Sequence, residues 1–343
     1  MGKRMKSILP SVIGRNTVPS APGVASEFAG RISRTFGDVG RHWLDTLPDT
    51  IARCVQRWDL TLEAPFEELS FQYVIRARRA DASPVVLKLG VPRDELVGEV
   101  RALLAYAGRG VVPLVAWDHA LGALLLERVE PGFQLADLAK VDDFAATRIG
   151  AAAMSMLVSH GVKPETRSGG ATTFGSVERE WAQAFDGYRR LATRCSGHLP
   201  ADVVLDAERR FDRLLASGAI GDQIMLHGDL HHHNILKSSI EEDTWIVIDP
   251  KGVVGEPACE VASFLRNPGS VLFGDNDHSK TMHRRIELIA SITDLDPLRI
   301  RDWGMAGAVI SAIWCIEDGP TDPDPTVWRL PVNCARWLAP LRF

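Results

Sequence analysis

Little in this 343-residue chain points to cross-linking, membrane insertion or a nucleic-acid surface. Its five cysteines, at positions 54, 195, 259, 315 and 334, show no CxxC and no close pair. Neither a disulfide framework nor a zinc ribbon is therefore expected, and a reducing cytoplasm fits best. No apolar run approaches the roughly 18 to 20 residues needed to cross a bilayer. The basic start, MGKRMKSILPSVIGRNTVPSAPG, has an apolar part broken by Ser, Pro and Gly, too short for a signal-peptide core. Residues 1–26 read as a flexible N-terminal extension. A large charge of one sign is missing too: 39 Lys and Arg against 44 Asp and Glu leave a net charge of -5. That balance argues against nucleic acid as a partner and mildly favours a cationic small ligand. Internal repeats are absent, and the one biased stretch is DGPTDPDPTVW, residues 318–328.

With 45% hydrophobic and 24% charged residues, the composition is that of an ordinary globular protein. The length suits two domains or one enzyme with two lobes around a cleft. Residues 27–60 read as short helices, RISRTF, RHWLDTL and LPDTIARCVQRWDL, in which Ile51, Val55 and Trp58 recur at helical spacing. The period then changes. SFQYVIRARR and PVVLKLGV are β-rich runs flanking the turn-prone residues 80–84, which predicts a hairpin. DELVGEVRALLAYAG carries Leu96, Val97, Val100, Leu103 and Leu104 on one stripe and predicts an amphipathic helix. Two more strands, VVPLVAWD and ALLLERV, complete a first lobe over residues 27–129. From 130 to 343 the pattern turns mainly helical, apart from the loop LHGDLHHHNIL (226–236) and the five-residue strand WIVID ending at Asp249.

Asp229 and Asn234 lie five apart in that loop, and Asp249 follows fifteen residues later after a hairpin-length return. Phosphoryl transfer from ATP uses such a set. One carboxylate orients or deprotonates the acceptor hydroxyl, while an amide and a second carboxylate hold Mg²⁺ against the phosphates. The same scheme requires a strand lysine paired with a helix acid, which Lys88 and Glu99 supply, with Glu95 as second choice. Each piece alone is weak. A Gly-Asp pair often caps a turn, and a strand lysine followed by a helix acid is often a surface pair; the order and spacing of the whole set give it weight.

HGDLHHHNIL followed by WIVIDPKGVVGEPACEVASFLRNP resembles the aminoglycoside phosphotransferase superfamily, and within it the streptomycin 6-phosphotransferase and hydroxyurea phosphotransferase family. YVIRARRADASPVVLKLGVP, ALLLERVEPG and SAIWCIEDG extend the likeness over roughly residues 30 to 340. The resemblance implies an α+β, protein-kinase-like two-lobed fold with a small β-rich, nucleotide-binding N-lobe and a larger helical, catalytic C-lobe. It also implies ATP- and Mg²⁺-dependent O-phosphorylation of a small-molecule hydroxyl acceptor. Carried across, Asp229 is the catalytic base, Asn234 and Asp249 are the metal ligands, and Lys88 with Glu99 is the phosphate-binding pair. The Glu127–Val129 backbone would meet the adenine. No GxGxxG covers the phosphates, so LSFQYV with Ser70 would serve as lid; IDP stands where protein kinases have DFG, and no APE segment is evident. Cys259 occupies a position where the family leads one to expect an aromatic residue.

Two other groups need weighing. Consecutive His231, His232 and His233 would point in different directions, which disfavours a zinc site. Trp314, Glu317, Asp318, Asp322 and Asp324 form an acidic, aromatic-edged cluster, and with Glu256 and Glu260 they are candidate contacts for a cationic acceptor; a solvated Pro-Asp loop is the plainer reading of Asp322 and Asp324. Hydroxyurea or another metabolite alcohol is an alternative acceptor, and a silent nucleotide-binding module is an alternative of another class.

Overall fold

The computed structural model describes residues 25–67, 69–163, 175–192, 199–217, 223–240, 243–274, 277–317 and 325–343. Most of the expected extension thus lies outside the described residues. The short helices expected over 27–60 are two helices joined across a kink at Gly37, where φ 57 and ψ -132 leave the helical region; together they are α1 (Ser26–Trp58), which accommodates Pro48 in its second part.

After α1 come β1 (Thr61–Pro65), β2 (Gln72–Arg78), β3 (Pro84–Gly90), α2 (Asp94–Tyr106), β4 (Leu114–Asp118) and β5 (Ala123–Glu127). The strands form one antiparallel sheet in the order β1-β2-β3-β5-β4. Side chains alternate across a strand, so the sheet has two unlike faces. Ile75, Leu87, Leu89 and Leu125 bury one face against Phe28, Ile32, Trp43 and Leu47 of α1. Lys88 sits between Leu87 and Leu89 and therefore projects from the other face, on which Leu124 and Leu126 join the α2 stripe of Leu96, Val100 and Leu103.

The remainder runs β6 (Pro131–Gln134), α3 (Leu135–Ala139), α4 (Asp143–Ser159), β7 (Gly175–Ser176), α5 (Val177–Ala192), α6 (Ala201–Ser217), β8 (Ile224–Leu226), β9 (Ile235–Ser238), β10 (Trp245–Val247) and β11 (Val253–Gly255). It closes with α7 (Val261–Leu265), α8 (Gly269–Gly274), α9 (His278–Thr293), α10 (Pro297–Glu317) and α11 (Pro325–Leu338). Helix α10 is the axis of this larger lobe. Trp303, Met305, Ala306, Val309, Ile310 and Ile313 are all buried, as expected for a helix that is apolar all round. Among the described residues no helix is long and apolar enough to cross a membrane.

Two small pairings position the chemistry-bearing loop. β9 and β10 form a hairpin in which Val247 pairs with Ile235, and the amide of Ile248 donates to the Asn234 carbonyl at 2.9 Å. Residues 234 and 249 are thereby brought side by side. β8 pairs with β11, Leu226 opposite Val253, and the Lys251 amide donates to the His227 carbonyl at 2.8 Å. Asp249 itself lies beyond the strand that was expected to end on it, because its φ of 61 leaves extended geometry.

Candidate active site

A cleft of about 720 Å³ is bordered by Ser70, Gln72, Lys88, Glu127, Val129, Asn234 and Asp249, within the usual size range for small-molecule sites. At its inner end Lys88 Nζ lies 2.6 Å from Glu99 Oε1 and 2.7 Å from Asp249 Oδ1. The bridge is well shielded: Lys88 is 3% exposed and Glu99 5%. Burial alone would push the ammonium down, but the carboxylates of Asp249 and Glu99 outweigh it and hold Lys88 above the ordinary lysine range. Glu99, on the buried side of α2, is the partner, and the side chain of Glu95 lies outside the described residues. Gln72 completes the group by donating from Nε2 to Glu99 Oε2 at 3.2 Å.

At the outer end of the cleft Arg128 clamps the chain leaving β5. Its Nη1 donates to Glu63 Oε2 at 2.6 Å and its Nη2 lies 2.9 Å from Glu130 Oε1. The backbone here is tied down as well, the Glu127 amide donating to the Pro113 carbonyl at 3.1 Å and the Arg128 amide to that of Pro84 at 3.2 Å.

Asp229 borders a second, smaller cavity together with Glu180, Trp181, Lys251, Arg266 and Trp314. Ser263 Oγ donates to Asp229 Oδ1 at 2.7 Å, and Arg266 Nη2 donates to the same hydroxyl oxygen at 2.8 Å. Lys251 Nζ stands 3.3 Å from Asp229 Oδ2. Desolvation works to raise the Asp229 pKa, but the charges of Lys251 and Arg266, that of His231 once acid protonates it, and the Ser263 hydrogen bond hold it far below the usual carboxylate range. Asp229 is therefore an anion at any physiological pH.

The histidines support the loop. His227 Nδ1 accepts the Asp229 amide at 3.1 Å, which fixes the proton on Nε2, from where it is donated to the Ile248 carbonyl at 2.8 Å. Burial lowers its pKa, so the ring is a neutral strut. His231 caps the amide of His233, His233 Nδ1 lies 2.7 Å from Gln134 Oε1, and buried His232 stacks on Phe264 at 3.9 Å. Consecutive positions thus serve three separate partners.

For a divalent cation the fit is good at Asn234 and Asp249. Asn234 Nδ2 donates to the Asp229 carbonyl at 3.0 Å, which turns its Oδ1 end outward. Asp249 has one oxygen on Lys88 and a side chain 42% exposed. An amide oxygen and a carboxylate oxygen are the few protein ligands that Mg²⁺, which keeps waters and binds phosphates, takes in such sites.

Not every acid expected at the acceptor side lies there. Glu256 is engaged by Arg299, whose Nε and Nη2 each approach one of its oxygens at 2.5 Å, and Arg299 is in turn tied to Ser217 of α6. Its charge is spent between helices. Glu260 is 3% exposed and turned under the loop, accepting the amides of His227 at 2.7 Å and Gly228 at 3.0 Å. It borders the smaller cavity with its oxygens already committed. Desolvation raises its pKa to about 7, against the lowering effect of those amides. Trp314 does line the cavity, Glu317 ends α10, and Asp318, Asp322 and Asp324 lie outside the described residues. Cys259 also borders the cavity, as a buried thiol pushed up by desolvation. Gln72, Arg128, Glu180, Lys251, Ser263 and Arg266 were not anticipated. The available signal was the i,i+3 spacing of Ser263 and Arg266 and the proximity of Lys251 to Asp249 in sequence.

A family described as aminoglycoside/hydroxyurea antibiotic resistance kinase matches residues 57–319. The chain is 32% identical over 290 residues to a hydroxyurea phosphotransferase of Kitasatospora aureofaciens, covering 83% of this chain and 78% of that protein. It is 30% identical over 303 residues to a streptomycin 6-kinase of Streptomyces griseus, covering 88% and 94%. Its fold is similar to that of a choline/ethanolamine kinase family protein from Mesorhizobium loti, with TM-score 0.62 and 16% identity over 87% of this chain and 95% of the other. A small antiparallel lobe and a larger helical lobe around one cleft are thus the protein-kinase-like arrangement that the motifs implied, and the chain belongs to the aminoglycoside/hydroxyurea antibiotic resistance kinase family, a family of phosphotransferases.

Proposed function

We propose that this enzyme transfers the γ-phosphoryl group of ATP to a hydroxyl group of a small cationic acceptor, streptomycin or a related aminoglycoside, in the cytoplasm. The observation that carries the reading is the gathering of Lys88, Asp249 and Asn234 on one cleft, with Lys88 bridging a helix acid and the turn acid, and the bond from Asn234 to the Asp229 carbonyl that ties this cleft to the cavity beside Asp229. Lys88, oriented by Glu99, takes the phosphates from the N-lobe side, and the Glu127–Val129 backbone takes the adenine, with Ser70 at the lid. Asn234 and Asp249 hold Mg²⁺, which when bound neutralises charge on the phosphate oxygens. Asp229 accepts the acceptor hydroxyl and points it in line with the phosphorus. Held so far below the usual range, it is a weak base for an alcohol. Its contribution is orientation, with proton acceptance once the new bond to phosphorus has formed, as suits a loose transition state.

A second acceptor class is supported by a specific observation. The cavity beside Asp229 is edged by the cations Lys251 and Arg266 as well as by acids, which suits a small neutral acceptor such as hydroxyurea. The experiment is a panel of streptomycin, other aminoglycosides, hydroxyurea and simple alcohols, read as the product's mass with ADP release. Streptomycin turnover by the wild type, reduced at least about 1,000-fold in Asp229→Ala with nucleotide binding retained, is the expected result. ATP binding with no acceptor phosphorylated would leave a silent nucleotide-binding module instead.

A further inference from the structure

Two cations stand at Asp229 and they are held differently. Arg266 is 18% exposed in its side chain and is backed by its bond to Ser263, which itself occupies Asp229 Oδ1. Lys251 faces the other oxygen, Oδ2, and its side chain is 54% exposed. Its main chain, by contrast, is gripped from both lobes. The amide donates to the His227 carbonyl in the loop. The carbonyl oxygen lies so close to α2 that a Cβ on Gly98 would meet it at 2.7 Å. Gly252, at φ +66, completes the contact, since a Cβ there would come within 2.5 Å of the Gly98 carbonyl oxygen. The root of the side chain is thus fixed while its four-carbon stem can turn. That root lies two residues from Asp249, between the groups assigned to the phosphates and the one assigned to the acceptor.

We propose that Lys251 is a catalytic residue whose ammonium leaves Asp229 Oδ2 for the oxygens of the phosphoryl group in flight, as Oδ2 takes up the acceptor hydroxyl. The proposal rests on the phosphotransferase reading. In that step the bond from the γ-phosphorus to the bridging oxygen of ADP breaks and the bond to the acceptor oxygen forms. The acceptor's proton passes to Asp229 and then to solvent. Lys251 takes no part in the proton transfer; it supplies positive charge where the three phosphoryl oxygens pass an anionic Asp229. The loop itself supplies none there. His231, two residues after Asp229, is turned onto the loop backbone, where its Nδ1 accepts the His233 amide at 3.2 Å, His232 is stacked on Phe264, and His233 is engaged by Gln134.

The test compares wild type, Lys251→Met and Lys251→Arg in steady-state kinetics, and in titrations with ADP and Mg²⁺ alone and with aluminium fluoride added as a mimic of the phosphoryl in flight. For Lys251→Met, kcat should fall about 100-fold, with KM for ATP and ADP affinity within about 3-fold of wild type, as expected for a contact made only in the transition state. The extra affinity gained with aluminium fluoride should disappear, and Lys251→Arg should restore part of both. A kcat within about 3-fold of wild type, or retained aluminium fluoride affinity, would overturn the proposal. Should Lys251→Met prove unstable, Lys251→Gln against Lys251→Arg decides it: an inactive Gln variant with an active Arg variant supports the role, and equal activity overturns it. The acceptor reading fails separately. A wild type that phosphorylates hydroxyurea or a simple alcohol but no aminoglycoside, with turnover and an ADP–aluminium fluoride complex that both need Lys251, would sink that reading and leave this one standing.

Discussion

The two lysines that meet carboxylates, Lys88 in the cleft and Lys251 at the smaller cavity beside it, are built in opposite ways. Lys88, 3% exposed, touches Glu99 and Asp249, while Lys251, 54% exposed in its side chain, touches one oxygen of Asp229. Desolvation explains the contrast. A shielded charge needs its partner, because removing either member strands the other in a low dielectric. A solvated ammonium pairs weakly and can change partner at little cost. Lys88 is thus suited to a fixed grip on phosphates, and Lys251 to a contact formed as the reaction proceeds.

Lys88→Met breaks the contrast most sharply. Glu99 is left buried without its cation, so the expected loss is roughly 3–5 kcal/mol of stability together with nucleotide binding, and Glu99→Gln in the same chain should recover part of the stability. Denaturant titration of the single and double variants measures it. An unaltered midpoint would show that water reaches Glu99 and that burial does not set the difference between the lysines.

Glu260→Gln is a smaller perturbation at the other centre. A carboxylate accepts two amides from the loop, whereas a glutamine presents one acceptor and one donor, so one amide is left unsatisfied at about 1–3 kcal/mol. The pH dependence follows from the raised pKa of about 7. Between the ordinary glutamate range and that value the folded protein holds a proton that the unfolded chain releases. Its contribution is fully present below about pH 4.5, falls by about 1.4 kcal/mol per pH unit through that window, and is gone once pH has passed about 7. Stability curves at several pH values should show this slope in wild type and lack it in Glu260→Gln. Equal slopes would contradict the assignment. The mildest change is Glu256→Gln. Losing its pairing with Arg299 should cost about 1 kcal/mol and leave the acceptor KM unchanged; a large rise in KM would return Glu256 to the acceptor site.

Much of the site was readable because it depends on short-range geometry. The β3 alternation sends Lys88 to the cleft face, the phase of α2 brings Glu99 to it, and the fifteen-residue return between Asn234 and Asp249 is a hairpin whose register sets them side by side. What was hidden depends on long-range pairing or on backbone partners. Lys251 reaches Asp229 only because β8 pairs with β11, and Ser263 and Arg266 only because α7 packs beneath the loop. The partners of Glu256 and Glu260 were not readable, because a sequence gives an acid's charge but not its direction, and two backbone amides beneath a loop leave no mark in it. Elsewhere ADVVLDAERRFDRLLAS forms α6, and the chain after the Pro-Asp stretch forms α11 across Pro331, elements absent from the expectations. The helices on either side of Gly37 stay together because Phe28 and Ile32 before it and Trp43 and Leu47 after it share one core.

Under the proposed function, nucleotide and metal belong to the cleft of Lys88, Asn234 and Asp249, and the acceptor to the neighbouring, separable cavity beside Asp229. Titration of ATP with and without Mg²⁺ into wild type, Asp249→Asn and Asp229→Ala tests this most directly. Mg²⁺ should tighten ATP binding in wild type and in Asp229→Ala and have no such effect in Asp249→Asn. Equal Mg²⁺ enhancement in all three, or its loss in Asp229→Ala alone, would contradict it.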